Sequence, residues 1–195
     1  MNNITTTNTM PADMNAISTG FEGLLVLEPR VFGDERGYFF ESYNEATHAG
    51  LGLHYHWVQD NQSSSTHGVI RGLHFQKPPH AQTKLVRSLE GEILDVVVDL
   101  RSDQPTFGKY FSVLLSAENK KQLLVPKGFA HGFSVLSPTA LVLYKCDALY
   151  NKESEAGIIY NDPALQIDWQ LDPETVVVSD KDKILPTFAE TESGF

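Results

Sequence analysis

The chain has 195 residues, of which 41% are hydrophobic and 21% charged, and its formal net charge is −10 with the histidines neutral. This apolar share is sufficient for a hydrophobic core, so disorder along the whole chain is not expected. The acidic excess disfavours binding to polymeric nucleic acid or to an anionic membrane, since no surplus of cations exists to neutralise phosphates. The single cysteine, Cys146, excludes a disulfide within the chain and fits a reducing, cytoplasmic setting.

The chain is predicted to form a single domain that follows a polar N-terminal extension. Residues 1–15 are rich in Asn and Thr and have neither the basic start nor the apolar stretch of a signal peptide, so we expect a flexible extension. Residues 16–195 contain no internal repeat and no low-complexity linker, which favours one domain. No apolar run approaches the roughly 20 residues of a spanning helix, so no membrane segment is expected.

Short strands are predicted over most of this domain, with a helix near its start. Asn44 is a typical N-cap and Gly50 a typical stop for a helix over 44–49. Alternation of apolar and polar residues predicts the strands 84–89, 92–100, 110–115, 122–125, 133–136 and 140–146. A second short helical piece is expected after Asp180.

The segment 92–100 has the clearest strand pattern. Its apolar residues at 94, 96, 98 and 100 share one face, and Asp95 and Asp99 share the other. Turn residues such as those at 90–91 and 137–138 separate the predicted strands at short intervals. Strands of this length and spacing indicate an all-β fold, either an antiparallel sandwich or a closed barrel.

Histidines are the first candidates for proton transfer, because their ordinary pKa is nearest to neutrality. His74 lies in a strand-like segment, 68–76, that two glycines interrupt, and Arg71 precedes it by three positions. Glycine within a strand indicates a bulge or the close approach of another group. A base beside an arginine suits an anionic ligand, although a core histidine fits the pattern equally well. Solvated or packing roles are expected for His48, His54, His56, His67 and His80.

Two short motifs resemble those of the cupin superfamily. The segment 126–131 has the spacing Pro-x-Gly-x-x-His of the second cupin motif, and Gly-x-His at 72–74 lies where the first motif would fall. The resemblance implies a cupin jelly-roll β-barrel with a few short helices. Metal-binding cupins supply further His and Glu ligands in the first motif, but this chain has Gln76 there, and Lys84 would repel a divalent cation. We therefore expect a cupin without a catalytic metal.

A more specific resemblance is carried by segments that follow one another along nearly the whole chain. They are 32–41 (FGDERGYFFE), 58–63 (VQDNQS), 69–76 (VIRGLHFQ), 82–86 (QTKLV), 125–133 (VPKGFAHGF), 143–146 (LYKC) and 178–182 (VSDKD). Through these segments the chain resembles the dTDP-4-dehydrorhamnose 3,5-epimerases, a nucleotide-sugar epimerase family of the cupins.

The resemblance implies epimerisation of a 4-keto-6-deoxy sugar carried on dTDP. The protons at C3 and C5 both flank the C4 ketone, so removal of either gives an enolate through which that carbon inverts. This chemistry needs a base, an acid on the opposite face and a cationic or hydrogen-bonding group at the enolate oxygen. It needs no redox cofactor, because the ketone is already present, and this agrees with the absence of a dinucleotide-binding G-x-G-x-x-G pattern from the sequence. No cofactor is therefore expected.

The same resemblance assigns the catalytic roles. His74 is the base, Asp182 its carboxylate partner, Tyr144 the acid on the opposite face, and Lys84 the cation at the C4 oxygen. Without the resemblance, Tyr144 is typical of a core residue, Lys84 of an exposed strand residue and Asp182 of a solvated loop charge. Asp180 lies close by as an alternative partner.

Contacts to the nucleotide or sugar are implied for a larger group of residues. Arginines suit the diphosphate oxygens because the guanidinium forms paired hydrogen bonds with them. In the family some contacts come from a neighbouring subunit, so a homodimer is expected. The implied binding residues are Phe32, Arg36, Glu41, Gln59, Asn61, Arg71, His131, Tyr150 and Lys181.

Several alternatives stay open, because related enzymes share the base, the acid and the lysine. One is an epimerase that acts at C3 only, and another is an epimerase for a different nucleoside diphosphate sugar. A third is a non-catalytic cupin that binds a sugar nucleotide. A metal-dependent cupin oxygenase or isomerase is disfavoured by Gln76 and Lys84.

Overall fold

The computed structural model describes residues 13–195, which fold mainly into antiparallel strands. The strands are β1 Met14–Ser18, β2 Leu25–Pro29, β3 Phe32–Asp34, β4 Gly37–Phe39, β5 Gln59–Thr66, β6 Ile70–Gln76, β7 Lys84–Glu90, β8 Glu92–Asp99, β9 Tyr110–Ser116, β10 Gln122–Val125, β11 Phe129–Val135, β12 Thr139–Cys146 and β13 Glu155–Gly157. The helix α1 spans Glu45–Gly50, and short 3₁₀ helices span Lys152–Ser154, Asp182–Ile184 and Phe188–Glu190. Within residues 13–195 no helix is long and apolar enough to cross a membrane.

Two sheets face each other across a hydrophobic core. The larger sheet has six strands in the order β1-β2-β10-β7-β12-β5, the smaller has five in the order β13-β6-β11-β8-β9, and β3 and β4 form a separate hairpin. Val86 and Val142 of the larger sheet pack against Val97 and Phe133 of the smaller one. The predicted all-β jelly-roll architecture is confirmed.

Both sheets are also covered on their outer faces. Leu73 and Val98 of the smaller sheet pack against Trp169 in the C-terminal segment. Leu85 and Leu124 of the larger sheet form a cluster with apolar residues that follow α1. Because both faces of each sheet are covered, strands are buried on both faces. A polar side chain that points between the two sheets therefore lies in the interior and not in solvent.

Most of the expected elements are confirmed. The predicted strands 84–89, 92–100, 110–115, 122–125 and 140–146 correspond to β7, β8, β9, β10 and β12. Asn44 caps α1, since its side-chain oxygen accepts hydrogen bonds from Ala46 N at 2.9 Å and Thr47 N at 3.2 Å. In β8 the predicted alternation is present, and the face that carries Asp95 and Asp99 is the interior face, where both residues are 0% exposed.

Other boundaries differ from the expectation. The strand predicted at 133–136 begins at Phe129, because the chain turns at Gly128, with φ of +92°, and then pairs at once with β8. The helical piece expected after Asp180 is two 3₁₀ helices. Residues 1–12 of the predicted extension lie outside the described residues, and its last part, from Met14, pairs with β2.

We predict that Gly132→Ala destabilises the protein by about 1–3 kcal/mol, because β6 and β11 leave no room for a methyl group there. A Cβ at Gly132 would lie 2.6 Å from Arg71 O and 3.2 Å from Gly72 Cα. Chemical denaturation measures the change. Gly50→Ala is the control, since nothing lies within 4 Å of its Cβ position and alanine favours helix. Equal free energies of unfolding for the two variants would contradict this packing argument.

Candidate active site

Residues of both sheets line a cavity and an adjoining recess. The cavity has a volume of about 460 Å³ and the recess about 300 Å³. His74, Lys84 and Tyr144 line both of them and so mark their junction. These three predicted catalytic residues come from β6, β7 and β12, which belong to two facing sheets.

Strand register explains how these side chains meet. His74 on β6 is paired with His131 on β11, while Lys84 on β7 is paired with Cys146 on β12. Tyr144 lies two residues before Cys146 on the same inward face, as the sequence pattern predicted. Its ring centroid is 5.8 Å from Lys84 Nζ.

His74 and Asp182 form a partly buried hydrogen-bonded pair. The distance from His74 Nε2 to Asp182 Oδ1 is 2.7 Å, and the Asp182 side chain is only 5% exposed. Because a carboxylate only accepts hydrogen bonds, Nε2 carries the proton of this bond and Nδ1 is left as the basic ring nitrogen. Asp182 N also donates to Ser179 Oγ at 3.1 Å, which fixes the carboxylate at the start of its 3₁₀ helix.

The geometry therefore distinguishes between the two aspartates that were candidates for the partner of His74. Asp180 has a fully exposed side chain (100%) and pairs with Lys183 at 3.1 Å. Burial by itself would raise the pKa of Asp182, but hydrogen bonds from His74, the Gly72 amide and Ser179 outweigh it and lower the pKa. Asp182 thus stays ionised at neutral pH, as a partner for an imidazole must.

Burial disfavours the charged forms of the other two catalytic candidates, Lys84 and Tyr144. It lowers the pKa of Lys84, against the opposing charges of Cys146 and Asp95. It raises the pKa of Tyr144, so the phenol keeps its proton at neutral pH. The site therefore combines a neutral hydroxyl with an ammonium group that has lost much of its hydration, and charge interactions are strong in such surroundings.

A second His–Asp pair lies beside the first and was not anticipated from the sequence. His131 Nε2 lies 3.0 Å from both carboxylate oxygens of Asp95, on β8. The alternation in β8 placed Asp95 on its polar face, but only the closure of the barrel shows that this face is interior. The signal available in the sequence was the presence of an acidic residue among valines. The structure shows that this strand is buried on both sides.

Several predicted binding residues surround the same opening. Arg71 and Lys181 line the cavity, whereas Gln59, Asn61 and Tyr150 line the recess. Gln59 accepts a hydrogen bond from Tyr150 N at 2.9 Å and donates one to Asn61 Oδ1 at 3.0 Å.

Glu155 on β13 connects two of these residues and was also missed. Its carboxylate forms an ion pair with Lys181 at 2.7 Å and accepts a hydrogen bond from the Tyr150 hydroxyl at 2.9 Å. Glu155 lies in a segment without strand periodicity, so the sequence contained no pattern that singled it out.

The single chain does not bring Phe32, Arg36 and Glu41 to this opening. Phe32 and Arg36 belong to the β3–β4 hairpin and line a separate depression, where Phe32 is 45% exposed and Arg36 pairs with Asp34. Glu41 accepts a hydrogen bond from Asn44 Nδ2 at 2.7 Å. None of the three lines the cavity or the recess.

The position of the missing cupin metal ligand has a structural role. Gln76 donates to His80 O at 2.6 Å and accepts from Asn151 N at 2.7 Å, so both ends of its amide are engaged. Within residues 13–195 no cluster of His, Cys, Asp and Glu is arranged to hold a metal ion. The metal-free site remains a prediction.

We predict that Asp182→Asn lowers the free energy of unfolding by about 1–3 kcal/mol at pH 7, because a charge-assisted hydrogen bond is lost. The pKa of Asp182 is depressed in the folded protein, so its stabilising effect is complete above about pH 4 and is lost as pH falls through the folded pKa. Urea unfolding between pH 3 and pH 7 measures the difference from the wild type. The same difference for the exposed control Asp180→Asn would contradict the assignment.

Comparisons with known proteins show which proteins this chain is similar to. A family model described as dTDP-4-dehydrorhamnose 3,5-epimerase matches residues 18–190. The curated protein of that name from Escherichia coli K12 is 51% identical over 180 residues, which cover 91% of this chain and 96% of that protein.

Solved structures are equally similar. The dTDP-4-dehydrorhamnose 3,5-epimerase from Elizabethkingia anophelis has a TM-score of 0.87 and 52% identity, with 91% of this chain and 98% of that chain covered. A dTDP-6-deoxy-D-glucose-3,5-epimerase from Legionella pneumophila, in complex with dTDP-4-keto-L-rhamnose, has a TM-score of 0.87 and 48% identity, with 92% and 95% covered.

Proposed function

The chain belongs to the dTDP-4-dehydrorhamnose 3,5-epimerase family, and on that premise we propose that it inverts C3 and C5 of dTDP-4-dehydro-6-deoxy-D-glucose to give dTDP-4-dehydro-L-rhamnose. The observation that carries the proposal is the meeting of the His74–Asp182 pair, Lys84 and Tyr144 at one cavity. The reaction needs no cofactor, and the use of a single cysteine supports a cytoplasmic location.

In this proposal each inversion begins at His74 Nδ1. That nitrogen takes the proton from C3 or C5, and the electron pair of the broken C–H bond forms an enolate whose negative charge lies on the C4 oxygen. The carboxylate of Asp182 stabilises the imidazolium that results. General base catalysis by a positioned imidazole contributes about 10²–10⁴-fold to the rate.

Lys84 and Tyr144 complete the inversion. The ammonium group of Lys84 stabilises the enolate oxygen, and burial makes this interaction stronger than it would be in water. The Tyr144 hydroxyl gives its proton to the opposite face of the carbon, which restores the ketone with inverted configuration. The phenolate and imidazolium then exchange protons with solvent before the second carbon reacts.

The cationic side chains at the opening bind the diphosphate of the substrate. Arg71 and Lys181 lie beside the catalytic groups, which explains how a chain with a net charge of −10 binds an anionic substrate. Gln59, Asn61 and Tyr150 contact the nucleotide from the recess. His131 borders the sugar.

A homodimer forms part of the proposal. Phe32, Arg36 and Glu41 lie away from the cavity of their own chain, while the hairpin that carries the first two is exposed. In a symmetric dimer the hairpin of each subunit serves the cavity of its partner. Arg36 then contributes to the diphosphate site and Phe32 to the nucleotide site.

The test of the function is solvent exchange. The enzyme is incubated with dTDP-4-keto-6-deoxyglucose in deuterated water, and the sugar is followed by proton NMR. Deuterium at both C3 and C5 is expected. Incorporation at C3 alone would replace the proposal with a C3 epimerase, and no incorporation would refute catalysis on this substrate.

Two variants test the catalytic roles. His74→Asn removes the base, so exchange at both carbons should fall by about 10²–10⁴-fold, whereas exposed His54→Asn should leave it unchanged. Tyr144→Phe should still permit exchange but impair inversion, because the proton returns from the side of His74. The NMR assay measures both, and full epimerisation by Tyr144→Phe would remove Tyr144 from the acid role.

Subunit mixing tests the shared site. Arg36→Ala and His74→Asn are each expected to be weakly active alone. After unfolding and refolding together, each mixed dimer should contain one intact site, so activity should recover to about a quarter of the wild type. Activity that stays at the average of the two single variants would show that Arg36 does not serve the partner's site.

A further inference from the structure

The carboxylate that pairs with His74 is carried by one of the shortest elements of the protein, the 3₁₀ helix Asp182–Ile184. A helix of three residues is not stable by itself and keeps its place through contacts with the rest of the chain. The contacts that hold this turn against the smaller sheet are therefore also the contacts that set the distance from Asp182 to the imidazole.

The geometry of a 3₁₀ helix directs Asp182 and Leu185 to the same side. Such a helix has three residues per turn, so side chains three positions apart lie above one another. The burial of the segment follows this period, because Asp182 is buried and Leu185 is half-buried. Lys183 and Ile184 between them are exposed, Ile184 to 83%. Asp182 and Leu185 are thus the side chains that this turn presents to the protein.

A cross-strand pair receives these two side chains. His74 on β6 is paired with Gly157 on β13, so the two residues lie side by side. Asp182 Oδ1 lies 2.7 Å from His74 Nε2, and Leu185 fills the space above Gly157. A Cβ at Gly157 would lie 2.8 Å from Leu185 Cδ1 and 3.1 Å from Leu185 Cδ2. The φ of Gly157 is not positive, so its backbone does not require glycine, and the missing side chain serves packing.

Backbone hydrogen bonds hold the turn on both sides of this contact. Before it, the Ser179 hydroxyl accepts a hydrogen bond from Asp182 N at 3.1 Å. After it, Ile159 N donates to Pro186 O at 2.9 Å, directly beyond Leu185. The Leu185 side chain lies between these two attachments and decides how closely the turn can approach the strands.

We propose that Leu185 is a positioning residue that acts through Asp182 on His74. Its side chain, seated in the space that Gly157 leaves open, sets how close the 3₁₀ turn lies to β6 and β13. Because the carboxylate belongs to the same turn, a change in this seating moves it relative to the imidazole, which then loses the acceptor that fixes its tautomer. The proposed function enters only as the reaction in which His74 is the base.

The tautomer of His74 tests the proposal without any substrate, by nitrogen NMR of the folded variants at neutral pH. Leu185→Ala removes the seated side chain, so the preference for a protonated Nε2 should fall. Leu185→Met keeps the apolar volume and should restore most of that preference. The matched control is Ile184→Ala, which removes a side chain of similar size from the exposed side of the same turn and should leave the tautomer unchanged.

A wild-type tautomer population in Leu185→Ala would overturn the proposal, and so would an equal loss of preference in Ile184→Ala. A lower stability does not by itself give the expected result, because the tautomer is read from folded molecules only. If Leu185→Ala does not fold, Leu185→Val, which removes a single methylene, takes its place. An unchanged population in that variant would count against the proposal.

A double-mutant cycle tests the part assigned to Gly157. The new Cβ in Gly157→Ala meets Leu185 and also lies 2.6 Å from Leu73 O, so its effect has two sources. The contact with Leu73 O persists when Leu185 is alanine, whereas the contact with Leu185 is removed, so the cycle isolates the latter. The double variant should therefore lose less of the tautomer preference than the two single losses predict. Independent losses would show that Gly157 does not make room for Leu185.

Deuterium exchange at C3 and C5 adds a functional readout. The rate should fall in Leu185→Ala by up to about 10²-fold, the effect of a misplacement of roughly 1 Å, and should be unchanged in Ile184→Ala. A wild-type rate in Leu185→Ala would refute the positioning role while the proposed function stands. If the wild type shows no exchange, the proposed function fails, while the tautomer of His74 still decides the role of Leu185.

Discussion

The hydrogen bond between His74 and Asp182 joins parts of the chain that lie 108 residues apart. One partner is on a central strand of the smaller sheet, and the other is in the C-terminal segment that covers the outer face of that sheet. This one hydrogen bond therefore closes one wall of the cavity and also orients the imidazole of His74. Although the carboxylate of Asp182 is buried, the hydrogen bonds that it accepts keep it charged, and that charge holds the imidazole of His74 in place.

Around the hydrophobic core, titratable groups in and beside the cavity are matched pair by pair. His74 is matched with Asp182, His131 with Asp95, and Lys181 with Glu155. Lys84 and Tyr144 form neither an ion pair nor a mutual hydrogen bond in the described residues, and they are the groups that the proposed reaction leaves free for substrate. The acidic composition thus describes the whole chain, whereas binding and chemistry depend on a few cations around one opening.

The elements and residues that could be predicted are those with a clear hydrophobic periodicity or with a motif of the family. The strand 92–100 was recognised from its alternation, and His74 and Asp182 from the family resemblance. Strand β5 was not predicted, because all of its residues are polar and it shows no apolar face. The pairing of Asp95 was missed because alternation distinguishes two faces but not which of them is interior. The proposed placement of Arg36 in a partner's site depends on a second subunit, which the pattern of one chain does not encode.

The central claim is that Asp182 sets the tautomer of His74 so that Nδ1 is the base. Nitrogen NMR of the His74 ring at neutral pH, assigned by comparison with His74→Asn, tests it most directly. We predict a protonated Nε2 and a bare Nδ1 in the wild type, and loss of this preference in Asp182→Asn. A wild-type ring with its proton on Nδ1 and a bare Nε2 would contradict the account.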